Sequence, residues 1–174
     1  AIEGYAAQEQ LAGGVETLFK TSSDTVVGYA NDAYKTAGMS ANEYMETVTS
    51  FSASLLASMN NDTAAAAEKA NVAITDMSDN ANKMGTDISL IQNAYNGFAK
   101  QNYTMLDNLK LGYGGTKEEM QRLLDDASKL SGIKYDISSY SDVVDAIHVV
   151  QTEMGITGTT AKEASTTIEG SVSS

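Results

Sequence analysis

Apolar residues recur at helical spacing along almost the whole chain. Tyr44, Val48, Phe51, Leu55 and Met59 step by three or four, and so do Ala67, Ala70, Ile74, Met77, Ala81 and Met84. Ile88, Ile91, Tyr95 and Phe98 continue the rule after a break. Met120, Leu123, Leu124, Ala127 and Leu130 form another stripe, and Tyr140, Val143, Ile147, Val150 and Met154 a last one. A period near 3.6 puts each set on one face of a helix. Period-2 alternation is absent except for the short "IKYDI", Ile133 to Ile137.

The breaks are as regular as the stripes. Ser40 with Glu43, Thr116 with Glu119, and Thr160 with Glu163 each have the spacing of a capping box, in which a hydroxyl and a glutamate satisfy free amides of the first turn. Asp62, Thr86 and Ser139 stand where further N-caps are expected. Gly38, Gly85, Gly112, Gly132 and Gly155 stand where the preceding helices should end. The pattern predicts helices over residues 2–19, 23–37, 41–59, 63–84, 87–99, 102–110, 117–131, 140–154 and 160–170. Gly13 and Gly14 could split the first, and Gly28 weakens the second. The expected architecture is all-α, a compact antiparallel bundle of about seven to nine helices. It is expected as one domain over residues 1–155, followed by a weakly packed helix or linker over 156–174.

Composition narrows the chemistry. The chain has 174 residues, of which 42% are hydrophobic, enough for a real core. Proline is absent, which suits helices joined by short glycine turns. Without cysteine there is no disulfide or thiolate chemistry, and with one histidine there is no basis for a zinc site. No apolar run is long enough for a membrane-spanning helix. The net charge of −12 has the wrong sign for binding nucleic acid through its phosphates. The ends, "AIEGYAAQEQ" and "STTIEGSVSS", lead us to expect a segment of a longer protein.

The most chemically suggestive stretch is "NLKLGYGGTKEEM", Asn108 to Met120. It is not a phosphate-binding P-loop. Thr116 and Lys117 are in reversed order, the dinucleotide glycine pattern fails at Lys117, and no strand precedes the loop. The same letters read as a helix end at Gly112, a turn at Gly114 and Gly115, and a cap at Thr116. Glu118 and Glu119 oppose an anion at that helix N-terminus. His148, flanked by Ile147, Val149 and Val150, reads as a partly buried structural histidine. Asp125 and Asp126 read as a solvated face. No catalytic, cofactor-binding or metal-binding residue is expected. The one candidate interaction surface is the stripe Ala67, Ala70, Ile74, Met77, Ala81 and Met84, whose small residues allow close helix approach while methionines fill gaps. It is either an internal core seam or a seam with a second subunit.

Three stretches resemble the core region of phage tail tape-measure proteins encoded by prophages. They are "AYKTAGMSANEYMETVTSFSASLL", "DMSDNANKMGTDISLIQNAYNGFAKQNYTMLDNLKLGYGGTKEEMQRLL" and "VVDAIHVVQTEMGITGTTAKEAS". The resemblance implies a non-enzymatic structural component of the virion tail, present in the host cytoplasm during assembly. Such proteins lie in the tail tube, set its length and take part in DNA ejection. The partners implied are tail-tube subunits, tail-tip proteins and assembly chaperones. The matching motifs carry no catalytic residue, and nothing resembles the peptidoglycan-cleaving domains some family members have. Tape measures are far longer, so the chain would be one segment. As a continuous helix it would reach about 260 Å; folded, its radius of gyration would be about 16 Å. The repeated glycine-plus-cap breaks favour the folded form. The rival readings are a helical protein-interaction adaptor and a cell-wall hydrolase domain.

Overall fold

A computed structural model describes residues 2–160, with side chains from residue 8 onward. Among the described residues it is all-α, with seven α-helices and two short 3-10 turns. The helices are α1 (Ile2–Phe19), α2 (Ser23–Thr36), α3 (Ala41–Ser58), α4 (Thr63–Met84), α5 (Ile88–Ala99), α6 (Lys117–Ser131) and α7 (Tyr140–Glu153). The 3-10 turns are Lys20–Ser22 and Leu106–Leu109. Gly13 and Gly14 lie inside an unbroken α1, and Gly28 inside α2.

The helix starts follow the expected chemistry. Ser40 and Thr116 each accept a hydrogen bond from the backbone N–H of the glutamate three residues on, at 3.1 Å. Asp62 accepts from Ala65 N at 3.1 Å, and Ser139 from Asp142 N. One cap is displaced by a residue. Asp87, not Thr86, caps α5, with its carboxylate accepting from both Ser89 N and Ser89 Oγ. A carboxylate at the positive end of a helix is the better acceptor, and the Thr86 hydroxyl is left buried without a partner. The Thr160–Glu163 box and most of the helix expected over 160–170 lie outside the described residues.

The helix expected over 102–110 does not form. Asn102 turns its side chain onto Thr104, accepting from its N–H at 3.0 Å and its hydroxyl at 2.7 Å. This local bond competes with the helical ladder. Lys110 then adopts a left-handed φ of 55°, which ends the single 3-10 turn. "IKYDI" forms no strand; it is a connector in which Tyr135 is buried and Ile133 exposed.

The chain divides into two compact units. One runs to Ile74 and takes in Thr160; the other is Thr75–Thr159. In the first unit α1, α2 and α3 pack on one another. Phe19, Val26, Tyr44, Val48, Phe51 and Leu55 are buried there. The first half of α4 is tied in by the Tyr44 hydroxyl, which donates to Asn71 Oδ1 at 2.7 Å. In the second unit α6 packs on α7, and α5 on both α7 and the turn at 106–109. Tyr95 and Phe98 of α5 lie in ring contact at 5.7 Å, and Phe98 with Tyr103 at 6.1 Å. Each such fully buried side chain contributes about 1.5–3 kcal/mol through lost apolar hydration. Of the segment expected to pack weakly, 156–174, residues 161–174 lie outside the described residues; Ile156 is buried.

Candidate functional site

The glycine loop before α6 is built around a carboxylate. Gly114 N–H donates to Glu119 Oε1 at 3.0 Å, while Glu119 N–H goes to Thr116 Oγ1. Arg122 pairs with the same carboxylate at 2.7 Å and reaches back to the Gly112 carbonyl at 2.8 Å. The Arg122 bond and then the Gly114 N–H hold the Glu119 carboxyl down to about 2. The Gly114 amide, one of those a bound anion would use, is therefore already occupied. Gly115 has a separate reason: a Cβ there would lie 2.2 Å from the Thr104 carbonyl oxygen. The Arg122 guanidinium stacks over the Tyr113 ring at 4.3 Å, and the Tyr113 hydroxyl donates to Asp126 at 2.5 Å. Burial, and next that bond, push the Tyr113 phenol up to about 12.

The α4 stripe turns inward. Ala67, Ala70, Ile74 and Met77 are fully buried and Ala81 nearly so, all within the chain itself, while Met84 at the helix end is half-buried.

More unexpected is the polar part of α4. Asp76, Asp79 and Asn80 are as deeply buried as the apolar stripe beside them. Each is met by a group distant in sequence. His148 Nδ1 lies 3.0 Å from both Asp76 carboxylate oxygens. The neutral imidazole with its proton on Nδ1 donates into that pair, and the protonated ring adds charge. Gln151, one turn on, donates to the Asp76 carbonyl at 3.2 Å and accepts from Asn80 Nδ2 at 2.9 Å. The Asn80 amide also reaches the Leu109 carbonyl at 2.9 Å. Asp79 accepts from Gly158 N at 2.7 Å. Burial pushes the Asp76 carboxyl above the usual carboxylate range; the hydrogen bond and charge of His148 oppose this, and Asp79 and Asp145 add to it.

Sequence reasoning missed Asp76, Asp79, Asn80 and Gln151. The only available signal was their spacing, which repeats the three-residue step of His148 to Gln151 on the facing helix. The side chain of His148 is 39% exposed and that of Asp76 1%. The cluster thus joins α4, α7 and the 106–109 turn, with one imidazole at its edge. Its geometry suits holding helices in register. Among the described residues no group of three or more His, Asp or Glu could hold a metal ion. Among them, too, no helix is long and apolar enough to cross a membrane.

Comparison with protein-family models, with curated proteins and with solved structures finds no match for this chain.

Proposed function

We propose that this chain is a structural, non-catalytic segment of a phage tail tape-measure protein, acting in tail assembly and length determination and in DNA ejection. The observation that carries the reading is the run "DMSDNANKMGTDISLIQNAYNGFAKQNYTMLDNLKLGYGGTKEEMQRLL", Asp76 to Leu124, whose wording is similar to the core of that family. Two further features support it. The described residues are helical, and in the glycine loop the Gly114 N–H and the Gly112 carbonyl are taken up by Glu119 and Arg122 of the same chain. The charge of −12 would repel DNA phosphates sharing the tube. The antiparallel bundle expected from the stripes belongs to the same reading. Its partners are tail-tube subunits, tail-tip proteins and assembly chaperones, in the host cytoplasm during assembly and in the virion tail afterwards.

In-frame deletion of Thr75–Thr159, followed by electron microscopy of the tails, tests this. Tails shortened by about 130 Å would mean that the segment counts length as stretched helix at ~1.5 Å per residue. A smaller shortening, with the Asp76–His148 neighbourhood still cross-linkable in intact tails, would mean that it counts as a folded unit. Tails of unaltered length would refute the length-setting role.

A further inference from the structure

Two apolar side chains that the helical stripes assign to the core, Leu130 of α6 and Met154 just after α7, are 49% and 44% exposed. They flank one groove in the second unit, about 350 Å3 in volume, with Leu111, Tyr113 and Val150 also lining it. Those three are buried side chains, so the groove has an apolar floor as well as apolar walls. The volume suits one or two large apolar side chains of a partner.

The electrostatics of the rim select the partner. Asp126 and Glu153 line the groove, opposed by Lys129. The last turns of both α6 and α7 also line it, and a helix C-terminus carries roughly half a negative charge. Arg122, stacked over Tyr113, is itself paired with Glu119, so the rim is negative on balance, within a chain of net charge −12. A second copy of this chain would bring the same acidic rim and the same net charge, which disfavours self-docking. We infer that this groove is the docking site for a cationic amphipathic segment of another protein, seating an apolar side chain between Leu130 and Met154 with Lys or Arg on the rim carboxylates. This inference does not depend on the tail reading.

The test is titration of the full chain with a labelled helical peptide of leucine and lysine at i, i+3, i+4 spacing, beside its leucine–glutamate counterpart. The lysine peptide should bind, shift the amide resonances of Leu130, Val150 and Met154, and weaken with salt; the glutamate peptide should not bind. Leu130→Asp and Glu153→Lys should each weaken binding at least about tenfold, as central apolar and rim charges do at interfaces. Both positions are exposed, and circular dichroism verifies the fold of each variant; either one alone carries the test. Binding indifferent to both variants would be attraction to the chain's overall charge and would overturn the inference. So would a dimer seen in sedimentation of the chain alone and lost in Leu130→Asp, since a second copy would then be the occupant.

Discussion

At the scale of single residues, the decisive pair is Asp76 and His148. A buried carboxylate beside one half-exposed imidazole is stable only while that imidazole shares its charge or its proton. His148→Ala should therefore cost about 1–3 kcal/mol at neutral pH, the usual price of a buried acceptor left unpaired. The pH dependence has a definite sign. The folded-state pKa of Asp76 is raised, so the folded chain holds that proton more tightly than the unfolded one. The stability this contributes is present below the ordinary carboxylate pKa and is lost as pH rises through the folded value. In His148→Ala the opposing bond is gone and the pKa rises further. The variant should thus recover toward the wild type as pH falls toward the ordinary carboxylate range, about 4. Urea denaturation at several pH values measures this, and a gap independent of pH would refute it. Its apolar neighbours marked His148 as structural, but nothing beyond a three-residue spacing pointed to Asp76, because its partner lies 72 residues away.

At the scale of elements, caps and glycines explain where helices begin and end. Thr116→Ala should lower stability by about 1 kcal/mol, since the hydroxyl satisfies an N-terminal amide of α6. Thr86→Ala should change it by less than about 0.5 kcal/mol, because that hydroxyl has no hydrogen-bond partner and the cap beside it is Asp87. Equal losses from the two variants, measured by urea midpoint, would contradict this assignment. The starts of α3, α6 and α7 were legible because a cap is a contact within one turn. The segment after α5 was not. Leu106 and Leu109 mimic a helical stripe, but they are buried from a loop that Asn102 bends and Lys110 ends.

At the scale of the whole molecule, charge dominates. Eleven Lys and Arg against 23 Asp and Glu leave an acidic chain whose compact units repel themselves. Thermal stability should rise by a few degrees between low salt and about 0.15 M salt, where the screening length has fallen to about 8 Å. Calorimetry at several salt concentrations reads this directly; a melting temperature that falls with salt would mean that attractive pairs outweigh the repulsion.

What the chain carried in its own letters was the all-α class, the placement of most helices and the turn-and-cap character of the glycine loop. Those follow from contacts spanning one to five residues, such as Glu119 with Thr116 and Gly114. Tertiary structure alone decided which members of each stripe are covered. It buried Asp76, Asp79 and Asn80 and left Leu130 and Met154 in the open. The physical reason is that burial depends on which distant surface arrives. His148, Gln151 and Gly158 reach the polar side of α4 from far along the chain, and the ends of α6 and α7 flank a groove.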